Sequence, residues 1–332
     1  MAGVTLNTVQ KLRPKKIDDY IGQSKVVQNL KMFVSAVKKR GGPTEHILFY
    51  GPSGTGKTTL SNIVANELGS EIKITSGAVI ERPGDLAAIL TNLNDKDVLF
   101  IDEIHRLPKI VEEVLYPVME EFALDIIIGK GPSARTVRLS VPHITIIGAT
   151  TKLASLSTPL RERFGLILRL DYYSEPELID IIKRSGKLLK FNISDEAANS
   201  IAKRSRGTPR IAIRILNRVR DISDTSGSTK IDKEMLEKLF AMIELDKLGL
   251  SNIDRKYLNL LGKKFKNNPV GVETLASSLS EDKKTIEEFV EPYLLQIGFI
   301  KKTNRGRMLT DEALNHIGVK VLRNIEKQEK LI

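Results

Sequence analysis

Cysteine and tryptophan are both absent from the 332 residues, and histidine occurs only four times. Without thiols the chain makes no disulfide and no thiolate metal site, which permits a reducing compartment such as the cytoplasm. Four scattered histidines do not amount to a structural zinc site. Aromatics are 5% of the chain, too few for a row of stacking platforms along single-stranded nucleic acid. No run approaches the roughly eighteen apolar residues of a membrane span, and Met1–Gln10 lacks the apolar core of a secretory signal. The expectation is a cytoplasmic chain that makes no use of a membrane.

Positive charge is what the chain has in excess. The formal net charge is +11, a surplus that commonly reports a polyanionic partner. With aromatics scarce, phosphate contacts on a duplex fit better than base stacking. Hydrophobic content of 41% and charged content of 28% are those of an ordinary globular protein. The length allows two or three domains, each with a core.

The most informative stretch is Gly51-Pro-Ser-Gly-Thr-Gly-Lys-Thr-Thr59, which fits the phosphate-loop pattern. It lies between an apolar run, Ile47–Tyr50, and a helical pattern with Leu60, Ile63, Val64 and Leu68 on one side. A strand must stop there, the backbone must turn its N–H groups inward, and a helix must begin with its positive end toward the phosphates. Gly51, Gly54 and Gly56 permit the turn. Lys57 would pair with the β- and γ-phosphates, Thr58 would ligate Mg²⁺ and Thr59 would lie near the α-phosphate. The substrate called for is ATP or a close relative.

From 46 to 170 strand and helix patterns alternate, which argues for a parallel α/β sheet. Its strands are expected at Ile47–Tyr50, Ile72–Thr75, Val98–Ile101, Ile144–Ile147 and Leu166–Leu170. Val98-Leu-Phe-Ile-Asp-Glu103 ends in two acids: Asp102 would hold Mg²⁺ and Glu103 would activate water, a role hydrolysis needs and phosphoryl transfer to an alcohol does not. Thr150 ends a further strand, placed to touch either the γ-phosphate or the attacking water. Arg163, or failing it Arg161, would supply a cation to the charge developing on the γ-phosphate, often across a subunit boundary. Arg210, in Gly207-Thr-Pro-Arg210 at a helix start, would reach the phosphates from a helical domain.

One insertion, 124–139, reads as a hairpin turning at Gly129–Pro132. Its apolar residues Ile126, Ile128, Val137 and Leu139 belong either to a core or to a surface that docks a partner. The chain then divides into a large ATPase domain (1–173), a small helical domain (174–245), with a polar loop at Ser223–Thr229, and a C-terminal module (246–332). Three helices, at Tyr257–Phe265, Gly271–Leu279 and Glu281–Ile297, precede a basic hairpin, the signature of a winged helix. That hairpin carries Lys301, Lys302, Arg305 and Arg307 and no acid between Phe299 and Leu309.

Taken in order, the phosphate loop, Asp-Glu strand, polar strand tip, arginine finger and helical-domain arginine resemble an AAA+ ATPase. Further segments narrow the resemblance to the RuvB family: Arg13-Pro-Lys, Tyr20-Ile-Gly-Gln23, Phe100-Ile-Asp-Glu-Ile-His-Arg-Leu107, Glu112-Glu-Val-Leu-Tyr-Pro117, Gly148-Ala-Thr-Thr151, Arg206-Gly-Thr-Pro-Arg210, Glu291-Pro-Tyr-Leu294 and Arg305-Gly-Arg307. The similarity spans residues 12–318. It departs at Thr151-Lys-Leu-Ala154 and at Ile213 without removing a catalytic group. The resemblance implies a hexameric ring that hydrolyses ATP with Mg²⁺ and drives branch migration of Holliday junctions in recombination and repair. It further implies that Leu12, Arg13, Gly54, Gly56, Lys57, Thr58, Thr59, Tyr173 and Arg210 hold the nucleotide. Glu120, Glu121 and Phe122 would border it at a subunit edge, and Arg163 would be the finger. Lys302, Arg305 and Arg307 would touch DNA phosphates, the 124–139 hairpin would bind RuvA, and the RuvC resolvase would join a larger complex.

Overall fold

The computed structural model describes residues 12–41, 44–128, 135–227 and 230–319. The expected tail at 1–10 and the hairpin turn Gly129–Pro132 lie outside them. The described chain forms two compact units that divide at Ile231/Asp232.

The first unit is built on five parallel strands, β1 (Ile47–Tyr50), β2 (Ile72–Ser76), β3 (Val98–Asp102), β6 (Thr145–Thr150) and β7 (Leu166–Arg169), in the order β2-β3-β6-β1-β7. Strand periodicity sorts the side chains into two cores. Leu48, Leu99, Ile101 and Ile146 point to one face, with Leu86 and Leu90 of the helix Pro83–Leu90 and Val111, Leu115 and Val118 of the helix Lys109–Glu121. Ile47, Phe49, Val98, Phe100, Ile147 and Ala149 point to the other, against Leu30 of the helix Ser24–Arg40 and Leu60, Ile63 and Val64 of the helix Lys57–Leu68. Gly148 separates Leu48, Ile104 and Phe164, where a methyl would meet all three at 3.1 Å.

Strands β4 (Ala123–Ile128) and β5 (Arg135–Ser140) form an antiparallel hairpin of their own, with Ile126 opposite Val137 and Leu124 opposite Leu139. Every residue of β5 is exposed. Val137 and Leu139 each show 37% of their surface, so these two are not core residues. The side chains of Ile126 and Ile128 lie outside the described residues.

Three helices, Glu175–Leu188, Asp195–Arg204 and Pro209–Ser226, complete this unit, closed by a short parallel pair, β8 (Asn192–Ile193) and β9 (Lys230–Ile231). The polar loop expected at Ser223–Thr229 is instead helical through Ser226, where Gly227 at φ 69° ends the helix. Ser223, though polar, is buried in this last stretch of the helix, while Asp224 and Thr225 are exposed.

In the second unit, Leu258, Leu261, Leu275, Ile286, Val290 and Leu294 bury the helices against β10 (Ile300–Thr303) and β11 (Gly306–Leu309), an antiparallel wing. Val270 bridges to Arg307 as a third short pairing. The helix expected at Tyr257–Phe265 begins earlier, at Asn252, and unwinds into a π-turn over Leu260–Lys264. Among the described residues, no helix is long and apolar enough to cross a membrane.

Candidate nucleotide and DNA sites

The C-terminal ends of the parallel strands carry the chemistry, as expected for an open α/β sheet. Because β6 lies between β1 and β3, its last residue, Thr150, separates the phosphate loop from the acids. Thr150 is in register with Tyr50, and its carbonyl accepts from the Gly51 amide at 3.2 Å. Gly51, Gly54 and Gly56 have φ of 138°, 80° and 112°. A Cβ at Gly56 would run into the Tyr20 hydroxyl, and one at Gly51 into the Leu170 carbonyl. Here glycine is required by both conformation and space.

Lys57 opens the following helix and is 7% exposed. Its Nζ donates to the Gly51 and Pro52 carbonyls at 2.8 and 2.9 Å. Burial pushes its pKa down; Glu103 and Asp102 oppose the shift and Arg210 adds to it. A cleft of about 480 Å³ opens over this lysine, lined by Arg13, Gly54, Thr58, Thr59, Asp102, Glu103 and Arg210 among others. Its cations suit a polyphosphate. Mg²⁺ is usually held by one or two protein oxygens together with substrate phosphates and water, so Thr58 and Asp102 fit that need.

Asp102 ends β3 and accepts from the Glu103 amide at 3.0 Å. Glu103 has left-handed backbone angles, φ 47° and ψ 46°, a conformation uncommon outside glycine and frequent at functional sites. Its Oε2 is 3.2 Å from His105 Nδ1 and accepts from the Thr151 hydroxyl at 3.3 Å. The same His105 nitrogen is 2.9 Å from the Thr150 hydroxyl, which also accepts from the Lys152 amide at 2.9 Å. His105 therefore joins the carboxylate to the strand tip. Sequence reasoning assigned it no role, although its place two residues after Glu103, at the end of an apolar strand, was a signal.

Arg163 ends the short helix Thr158–Glu162, whose last turn carries Arg161. Its guanidinium donates to the Pro159 carbonyl at 2.8 Å and to Glu120 Oε2 at 3.1 Å, and lies 4.3 Å above the Tyr116 ring. Glu121 pairs with Arg138 of the hairpin, and Phe122 packs on His143 with ring centres 4.4 Å apart. Among the described residues, the lining of the protein's own cleft includes neither Arg163 nor Arg161.

The helical side closes over the loop. Arg210 donates from its amide to Gly54 O at 3.4 Å and from Nη1 to Ser53 Oγ at 2.8 Å. The Tyr173 hydroxyl meets that of Tyr20 at 2.7 Å, and Tyr20 reaches Thr55 O at 3.3 Å. Burial raises the Tyr173 pKa to about 12 and lifts Tyr20 well above its ordinary value. Leu12 is buried, its carbonyl held by Arg184 Nη1 at 3.0 Å. The predicted nucleotide residues Leu12, Arg13, Tyr173 and Arg210 thus gather on one side of the phosphate loop.

The C-terminal cations are a separate matter. Glu291, with no exposed surface, holds Arg307 Nε at 2.7 Å and Lys302 Nζ at 2.7 Å, and accepts from Tyr257 at 3.1 Å. Arg307 also reaches Glu287 at 3.1 Å. The Arg307 side chain is 15% exposed and that of Lys302 46%. Arg305, at the wing tip, is exposed. The three cations expected on one hairpin are therefore not equivalent: Arg307 is anchored inward.

Three family models account for the chain: the Holliday junction DNA helicase RuvB P-loop domain over 12–170, the RuvB AAA lid domain over 173–246 and the RuvB C-terminal winged helix domain over 247–318. Among solved structures, the Thermotoga maritima RuvB Holliday junction branch migration motor is 45% identical, covering 94% of this chain and 99% of that one, with a TM-score of 0.82. Two single-site mutants of the Thermotoga maritima protein are each 46% identical, with TM-scores of 0.83 and 0.84 and coverage of 93% and 99%.

Proposed function

The chain belongs to the RuvB family, and from that premise we propose a DNA motor that spends ATP on moving the branch point of a Holliday junction. ATP would bind over the phosphate loop, its γ-phosphate held by Lys57, while Glu103 takes a proton from the attacking water. Mg²⁺ on Thr58 and Asp102 would offset phosphate charge. Thr150 and His105 would set the position of the Glu103 carboxylate, which they already contact directly or through one nitrogen.

The observation that carries the shared-site part of this reading is the placement of Arg163. It lies against Glu120, outside the lining of its own cleft. A cation so placed serves the transition state of a neighbouring protomer, and a closed ring of six gives every cleft such a neighbour. Arg210, already on Ser53, would couple the state of the phosphates to the angle of the helical domain, and so to the winged helix. Exposed Lys302 and Arg305 would meet duplex phosphates, giving sequence-independent, salt-sensitive binding. The exposed apolar hairpin around Val137 and Leu139 is offered to RuvA, with RuvC joining a larger complex, all in the cytoplasm.

The domain limits we adopt are 1–173, 174–245 and 246–332. The test is junction unwinding with ATP, Mg²⁺ and RuvA: four-way junctions that persist under those conditions overturn the motor reading.

A further inference from the structure

Beside the cleft lies a second, narrower cavity of about 70 Å³, walled by Leu12, Pro14, Ile21, Ile181 and Ile213. Arg13, Gly56, Thr59, Pro209 and Ile213 line both, so the slot opens onto the phosphate loop. Ser185 is one of the residues lining this largely apolar slot, and its Oγ is buried. Ser185 is 1% exposed, and among the described residues its hydroxyl has no hydrogen-bond partner.

That is unusual for this chain. Two other buried serines, one in a helix and one at a helix end, return their hydroxyl to the carbonyl four residues back: Ser61 to Lys57 at 3.0 Å and Ser205 to Ile201 at 2.7 Å. Ser185 makes no such bond. Its neighbour Arg184 holds the Leu12 carbonyl at 3.0 Å and so fixes the wall opposite. A buried hydroxyl without a partner costs stability, and one beside a cavity calls for an explanation that a bound ligand would supply.

We infer that the Ser185 hydroxyl hydrogen-bonds the edge of the nucleotide base, making it a specificity residue of the ATP site. The inference rests on ATP binding at the phosphate loop. Phosphates lying on Gly54–Thr59 direct the base into the adjoining apolar slot, where aliphatic walls cover its faces and Ser185 meets its edge.

Ser185→Ala separates this role from packing, because the two make opposite demands on the ligand-free protein. The full chain and the variant are compared by thermal unfolding without ligand, and by equilibrium binding of ATP and of inorganic tripolyphosphate, which has no base. The expected result is an unfolding temperature that is unchanged or higher, an ATP dissociation constant raised about five- to tenfold, and unchanged tripolyphosphate binding. Unchanged ATP affinity overturns the inference. So does a lower unfolding temperature accompanied by equal losses for both ligands, which would mean that the hydroxyl has a protein partner. A wild-type chain that bound tripolyphosphate but not ATP would sink the nucleotide reading itself.

Discussion

Arg163 is paired within its own chain: Nη2 lies 3.1 Å from Glu120 Oε2 and the guanidinium plane covers Tyr116 at 4.3 Å. Its Nε is buried and, among the described residues, has no hydrogen-bond partner. A partly exposed ion pair of this kind contributes on the order of 1 kcal/mol. A multiply charged phosphate competes easily for a guanidinium held so weakly. The arrangement is a stowed cation with a donor in reserve.

Arg163→Ala should therefore keep ATP binding within a few-fold and lower turnover by roughly 10³ or more. Lys57→Ala should abolish binding, since the phosphates lose their buried cation. Mixing the two variants should restore measurable ATPase activity, because some seams then join an intact loop to an intact finger. Mixed assemblies that stay inactive at every ratio would argue that each site is complete in one chain.

The contact of one His105 nitrogen with both Thr150 and Glu103 makes a second set of expectations. Glu103→Gln should bind ATP normally and lose turnover by about 10² or more. His105→Ala and Thr150→Val should each lower kcat with little change in ATP affinity. Their double variant should lose less than the sum, since both act on one carboxylate. Strictly additive losses in the ATPase assay would dissolve that linkage.

These two sites show what a sequence can and cannot convey. The phosphate loop, Asp102 and Thr150 were legible because each is a local pattern at the end of an apolar strand, and β1, β3 and β6 follow from the same runs. Their convergence depends on the strand order, which places β6 between the other two. The stowing of Arg163 was not legible: Glu120 is 43 positions away. Likewise a basic run reads alike whether solvated or paired, and nothing near Arg307 announced that Glu291 would bury its charge. The π-turn at Leu260–Lys264 leaves the apolar spacing almost unchanged, which is why it read as continuous helix.

Glu291 makes the second unit acid-sensitive. Burial pushes its carboxyl up, but hydrogen bonds and charge from Arg307 and Lys302 outweigh that and hold its pKa below the ordinary value. A carboxylate depressed in the folded state contributes stability that is present above its unfolded pKa and lost as pH falls through its folded one. Chemical denaturation followed downward from about pH 5 should show this loss. Glu291→Gln should lower stability near neutral pH by about 3 kcal/mol and shrink the acid-side decline. A variant whose stability tracks the wild type across that range would show that Glu291 carries no charge in the folded protein.

The inward anchoring of Arg307 divides the wing cations into two kinds. Lys302 and Arg305 are exposed enough to meet a phosphate directly. Lys302→Ala with Arg305→Ala should weaken duplex binding alike on all sequences and reduce the slope of log K against log salt by about 0.9 per lost contact. The fold should be unaffected, apart from the loss of the Lys302–Glu291 pair. Arg307→Ala should behave differently, because it leaves Glu291 buried with less compensation. It should cost about 3 kcal/mol or more of stability and disturb DNA binding chiefly by loosening the hairpin. Salt titrations of duplex binding, run beside denaturant melts of the same variants, separate the cases. An Arg307→Ala chain as stable as wild type but with a flattened salt slope would place that guanidinium on the DNA after all.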